Sequence, residues 1–294
     1  MAFERILVPL DGSELAEKAL PYATAIAKLN KSAVLLFAVS ITSKGGRRSR
    51  LLKSYLDVNS KTLGSSGINI STHIAYGEVA DEIVKYTENN QINLIIISSH
   101  GYSGIKRWML GSVAQKVLQS TTAPVLLIKS KSSSRQKAKF EKILVPLDCS
   151  PFSLTTLKYV EGLVKKTGSE ILLLDVAEPP VVPSYGIHPI NPEWEKYRDT
   201  IWSELNKQSS EYLNKIKADL AKGGLAAKTI VVKGENGKVA EEILKVAEEE
   251  KVSLIAIATH GRSGVSRWVY GSVANRLVEE SSQPILLIRP ASPS

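Results

Sequence analysis

Two stretches of the chain carry glycine, serine and arginine at one shared spacing. Ser99-His-Gly-Tyr-Ser-Gly-Ile-Lys-Arg-Trp-Met-Leu-Gly-Ser112 is matched by Thr259-His-Gly-Arg-Ser-Gly-Val-Ser-Arg-Trp-Val-Tyr-Gly-Ser272. Each follows an apolar run, Leu94-Ile-Ile-Ile97 or Leu254-Ile-Ala-Ile257, and precedes a helical pattern that opens at Val113 or Val273. Gly101 and Gly261 permit a sharp turn and close approach of the backbone to a ligand, and Gly104 and Gly264 add a second flexible point. Ser112 and Ser272 are expected as N-caps, with Gly111 and Gly271 leaving space beside them. The unpaired N–H groups of a helix start, reinforced by the helix dipole, form an anion site. Amides plus a serine hydroxyl suit a polyphosphate, and Arg107 and Arg267 add positive charge.

Other residue types with chemical potential lie nearby. Asp11 and Asp148 end the matching segments Arg5-Ile-Leu-Val-Pro-Leu-Asp11 and Lys142-Ile-Leu-Val-Pro-Leu-Asp148, which carry Pro9 and Pro146. Each aspartate reads either as a ligand-binding carboxylate or as a turn and cap residue; Ser150-Pro151 supplies an N-cap and first helical position. His100 and His260 are expected to fix a turn by hydrogen bonding, and Trp108 and Trp268 to pack. No Gly-x-x-x-x-Gly-Lys-(Ser/Thr) and no His-x-x-x-His pair occurs. No nucleophile stands out with its own base and orienting group, so no catalytic residue is assigned. A slow magnesium-assisted hydrolysis through Asp11 or Asp148 stays open beside a purely binding role.

Composition narrows the partners. The chain has 294 residues, 43% hydrophobic and 23% charged, with a net charge of +9. At roughly 150 residues per domain this suggests two domains. No apolar run reaches the roughly 18 residues of a membrane span, and the opening residues read as a strand, not a signal peptide; a cytoplasmic location is expected. Cys149 is the single cysteine, which excludes an internal disulfide; it reads as a small residue at a tight turn. Lys129 to Lys139 is basic, serine-rich and free of acids, the composition of a solvated linker. Nucleic-acid binding calls for a basic face with stacking aromatics or a recognisable module, and neither is visible.

The elements that must position these residues repeat as well. Gly101–Lys129 aligns with Gly261–Arg289 without a gap, 13 of 29 positions being identical. Two units follow, residues 1–130 and 140–294, joined by a basic linker over 131–139. Strands are expected at Arg5–Leu10, Ala33–Val39, Ile68–Tyr76, Leu94–Ser98 and Val125–Lys129, alternating with helices. One helix starts at Ser13, and a second carries Leu51, Leu52, Tyr55, Leu56, Asn59 and Leu63 on its face. Apolar runs without alternation belong to parallel strands covered on both faces. The fold class is therefore α/β, with two doubly wound five-stranded parallel-sheet units in tandem. Such sheets bind ligands at the carboxyl ends of strands where strand order reverses. That points to Asp11, Val39 and Ser98, and to Asp148, Val176 and Ala258. From Asp11 to Gly101 is 90 residues and from Asp148 to Gly261 is 113; the extra 23 are expected after the second strand of the second unit, where Glu178–Pro192 holds five prolines.

On these motifs the sequence resembles the universal stress protein family over nearly its whole length. The family pattern Gly-x-x-Gly-x9-Gly-(Ser/Thr) is matched by Gly101, nine residues and Gly111-Ser112, and by Gly261, nine residues and Gly271-Ser272. Ser98 and Ala258 stand where the pattern has its first glycine; both are small. The resemblance implies a five-stranded adenine nucleotide alpha hydrolase-like sheet and ATP (or AMP or ADP) as ligand, with magnesium as companion. It implies that Asp11 and Asp148 lie near the adenine, ribose or metal, and that the backbone of Val39 and Val176 meets the adenine. It further implies a stress-response role through nucleotide-dependent regulation or assembly. The last strands would then lie at a sheet edge and pair, either within one chain or again between chains as a homodimer. A nucleotide-independent interaction protein is the alternative.

Overall fold

The computed structural model describes residues 3–41, 45–100, 110–129, 138, 140–178, 192–235, 237–259 and 271–289. In the first half, β1 (Arg5–Pro9), α1 (Glu14–Glu17), α2 (Leu20–Asn30), β2 (Ala33–Ser40), α3 (Arg47–Gly64), β3 (Asn69–Tyr76), α4 (Val79–Asn89), β4 (Leu94–Ser98), α5 (Ser112–Ser120) and β5 (Val125–Ile128) follow in order. The second half repeats the pattern with β6 (Lys142–Pro146), α6 (Pro151–Thr167), β7 (Glu170–Ala177), α7 (Pro192–Lys222), β8 (Ala227–Lys233), α8 (Val239–Glu249), β9 (Leu254–Ala258), α9 (Ser272–Glu280) and β10 (Ile285–Ile288). The basic segment over 131–139 and the proline-rich stretch up to residue 191 lie almost wholly outside the described residues.

All strands join one ten-stranded sheet in the order β3-β2-β1-β4-β5-β10-β9-β6-β7-β8. Pairing is parallel within each half; at the centre β5 and β10 pair antiparallel, Leu126 opposite Leu286. The last strands therefore do not form an outer edge; they meet inside one chain. Side chains of each strand alternate between two apolar layers. Ile6, Val8 and Leu36 pack under α1, α2 and α3, and Leu7, Leu35 and Phe37 pack against α4 and α5; the second half is layered the same way by α6 and α7 and by α8 and α9. Because both faces are covered, β4 and β9 are buried at every residue, which accounts for their unbroken apolar runs.

Local rules set the helix ends. Ser13 and Ser150 cap α1 and α6, accepting from the amides of Ala16 and Ser153. Pro21 sits in the first turn of α2, where it costs no helical hydrogen bond; the helix expected to run on from Ser13 is therefore two. Leu52 and Leu56 of α3 face the core, but Leu51 is 62% exposed and is not part of the buried face. Of the 23 extra residues, 8 fall between β7 and α7, where 14 residues stand against 6 between β2 and α3, and 13 lengthen α7 to 31 residues against the 18 of α3. The net two that remain lie between α7 and α8, where β8 is one residue shorter than β3 but is followed by five residues before α8 against two before α4.

Reciprocal contacts join the halves. Phe3 stacks on Tyr159 with ring centroids 6.0 Å apart, and Tyr22 meets Phe140 edge-on at 6.2 Å. Lys129, expected in a solvated stretch, is only 7% exposed; its ammonium donates to the Val278 carbonyl near the end of α9. Arg289, its counterpart, donates to the Gln119 carbonyl of α5 at 2.8 Å. A cation over the carboxyl end of a helix is favourably placed in the helix dipole.

Candidate functional site

The strand order puts β1 between β2 and β4, and β6 between β7 and β9. The connections from β1 and β4 leave toward opposite layers, which opens a crevice at the carboxyl ends of these strands. Pro9 pairs with Phe37 at this end, and the Leu10 amide reaches the Phe37 carbonyl at 2.8 Å. The chain then turns at Asp11 and at Gly12, whose φ of 88° suits glycine.

One oxygen of Asp11, Oδ1, accepts from the Ser13 amide at 2.9 Å and the Ser13 hydroxyl at 2.6 Å. Asp148 repeats this with Ser150 at 3.0 and 2.6 Å. The turn-fixing role of both aspartates is thus built into the fold, with one carboxylate oxygen doing it. Val39 is half-buried at the end of β2, opposite Ala75, and Val176 takes the same place in β7 opposite Val232. Gly234 closes beneath Val176: a Cβ there would come within 2.8 Å of Val176 Cγ1.

Ser98 and Ala258 are buried at the ends of β4 and β9. The next residue anchors the glycine-rich segment at both of its ends. Ser99 donates its amide to the Ile128 carbonyl at 2.8 Å, and its own carbonyl accepts from the Gly111 amide at 2.8 Å. Thr259 does the same with Ile288 and with Gly271, at 2.8 and 2.9 Å. Gly101, Gly104, Arg107 and Trp108, and Gly261, Gly264, Arg267 and Trp268, fall outside the described residues.

The cap lies one residue earlier than expected. Gly111 and Gly271 are the N-cap residues of α5 and α9, and Ser112 and Ser272 are the first helical residues; no side chain caps either helix. A cap residue with no side-chain oxygen leaves the first-turn amides without a side-chain acceptor from the cap. Glycine at 111 also has a steric reason: an added Cβ would lie 3.2 Å from the Ser99 carbonyl. Ser112 and Ser272 are exposed, and Val113 and Val273 are half-buried against the layer that also holds Val39 and Val176. His100 Nδ1 lies 3.0 Å from the Ser99 hydroxyl, in keeping with a turn-fixing histidine.

Residues that the motifs did not indicate complete the site's surroundings. Tyr55 of α3 and Tyr212 of α7 occupy equivalent places. Burial, with Glu17 and Asp11 nearby, raises the Tyr55 hydroxyl above its ordinary pKa. Burial, Cys149, Asp148 and Asp175 push Tyr212 up to about 12. Asp175 is buried in β7 and was visible in the sequence as a lone charge inside Ile171-Leu-Leu-Leu-Asp-Val-Ala177. Among the described residues no three His, Cys, Asp or Glu side chains converge as a metal site. Magnesium commonly takes one or two carboxylates, with phosphate and water completing its shell; a single aspartate in each crevice fits that mode.

No helix among the described residues is long and apolar enough to cross a membrane. The chain is 33% identical over 150 residues to the universal stress protein YxiE of Bacillus subtilis, covering 51% of this chain and 99% of that one. It is 27% identical over 157 residues to the universal stress protein MJ0577 of Methanocaldococcus jannaschii, covering 51% and 95%. A universal stress protein structure from Archaeoglobus fulgidus superposes over 99% of this chain and all of its own, with a TM-score of 0.76 at 22% identity. The sequence profile of the Universal stress protein family matches twice, over residues 2–129 and 139–289, and the chain belongs to that family as a member with two such regions in tandem.

Proposed function

We propose that this is a cytoplasmic stress-response protein that binds an adenine nucleotide, ATP foremost, in each half, and acts by nucleotide-dependent regulation or assembly rather than by fast catalysis. The observation that carries this reading is the pair of uncapped helix starts. Gly111 and Gly271 are each pinned by a hydrogen bond to the end of the neighbouring strand, beside the aspartate turn of the same half. Phosphate oxygens would take the amides of Ser112–Val113 and Ser272–Val273, which the helix dipole makes favourable for anions. The nucleoside would lie over the carboxyl ends of β1 and β2, or β6 and β7, with the backbone of Val39 or Val176 and the carboxylate of Asp11 or Asp148 at its edge.

When bound, magnesium would neutralise phosphate charge, with Asp11 or Asp148 as its protein contact. The chain's own residues bind and orient: the aspartate turn fixes one wall, the glycine-capped helix the other. His100 and Ser99 are in contact, but a nucleophile also needs a base oriented by a third group, and His100 Nε2 is buried without a hydrogen-bond partner among the described residues. The residues thus support binding more than turnover. The two units are assigned to residues 1–130 and 140–294.

Mass spectrometry of small molecules released from the native protein tests the ligand directly, with an adenine nucleotide expected. Gly111→Val should empty the first half and leave the second filled; Gly271→Val should do the reverse. Unchanged occupancy of both halves in both variants overturns the site.

A further inference from the structure

Among the described residues, one difference between the two halves lies beneath the aspartates. In the first half Gly12 follows Asp11, and nothing lies within 4 Å of a Cβ added there. The strand position below it is Ala38. In the second half the same places hold Cys149 and Asp175. Cys149 has a φ of 62°, a left-handed conformation that disfavours any residue with a Cβ. Asp175 is 3% exposed, and a buried carboxylate is costly unless hydrogen-bonded. The two features meet, with Cys149 Sγ 3.9 Å from Asp175 Oδ2. Ser153, buried where the first half has Ala16, and Tyr212 stand over the same spot.

We propose that Asp175 is a positioning residue: it holds Cys149, and with it the main chain that carries Asp148, so that the second half takes its nucleotide more tightly than the first. The proposal rests on the nucleotide reading above. Its physical basis is pre-organisation. A glycine turn is free to explore conformations and must lose that freedom when ligand binds; a turn tied to the strand beneath it has already lost it. Cys149 acts as the strap between Asp175 and the turn. This arrangement explains why a strained non-glycine residue stands there, and why a charge interrupts an otherwise apolar strand.

Two measurements on the full chain test it. Without ligand, amide hydrogen exchange at 148–150 should be slower than at 11–13, and Asp175→Ala should remove the difference. Because Cys149 is the single cysteine, its alkylation by iodoacetamide reports on the same strap. Asp175→Ala should speed it by releasing the thiol from a neighbouring carboxylate. In calorimetric titration with ATP, two affinities about tenfold apart are expected, about 1.4 kcal/mol. Asp175→Ala should bring them together, while Asp175→Asn, which keeps an acceptor oxygen, should preserve the gap. Grafting the pair into the first half, as Gly12→Cys with Ala38→Asp, should tighten the weaker site and guards against a variant that merely unfolds. Equal exchange of the two turns without ligand, in a protein that still binds ATP, overturns the positioning role alone. Absence of ATP binding in both halves overturns the nucleotide reading, and the tighter site with it.

Discussion

Arg289 Nη2 donates to the Gln119 carbonyl oxygen at 2.8 Å, so the residue after the last strand of the second half holds the last turn of α5 in the first. Lys129 returns the favour by donating to Val278 in α9. Removing either donor leaves a helix-end carbonyl without its charged partner, at a cost of about 1–3 kcal/mol. Arg289→Ala and Lys129→Ala should each lower stability by an amount in that range, read from urea midpoints at constant slope.

The buried Lys129 also predicts a pH response. Burial lowers its pKa to about 8, and Glu279 only partly opposes this. The unfolded chain keeps its proton up to about 10.4. Between these values the unfolded state binds more protons than the folded one, so this group makes stability rise with pH from about 8 to about 10.4. Each unit of separation is worth about 1.4 kcal/mol. The slope should vanish in Lys129→Met, and a wild-type curve that falls through this window relative to the variant would contradict the burial of this group.

The paired aromatic contacts should stabilise the seam more than any surface charge. Phe3→Ala and Phe140→Ala each empty a buried site, for which losses of about 3–5 kcal/mol are usual. Lys116 bridging to Asp81 at 2.9 Å is exposed at both ends, and Lys116→Ala should cost less than either aromatic truncation. Chemical denaturation of the three variants ranks them.

Lys31 ends α2 with a φ of 57°, where the second half uses Gly168 at 70° to end α6. Lys31→Gly copies that solution and should raise stability, by up to about 1 kcal/mol, because the left-handed conformation disfavours a Cβ. A rise of a few degrees in melting temperature is the expected readout.

Much of this was legible before any coordinates. Unbroken apolar runs such as Leu94–Ile97 marked two-sided burial, and the doubled Gly-Ser segments marked the helix starts. What stayed hidden depends on contacts between distant positions. Lys129 sits in a basic run that reads as solvated, and only the approach of α9 buries it. Tyr55 and Asp11 are 44 positions apart, so the charge of Asp11 reaches Tyr55 only because α3 lies over the sheet. Ser112 looked like a cap because serine favours that role; backbone geometry gives the role to Gly111. Pro21 carried a readable signal for the break between α1 and α2, and Asp175 for the asymmetry of the halves.

The antiparallel seam between β5 and β10 has a geometric consequence. Strands of the two halves run in opposite directions, so their carboxyl ends emerge on opposite rims of one continuous sheet. Two bound ligands would sit at opposite poles of the molecule, too far apart to touch. Any message between them must travel through the centre, where Lys129 and Arg289 grip the tails of the very helices whose heads carry Gly271 and Gly111.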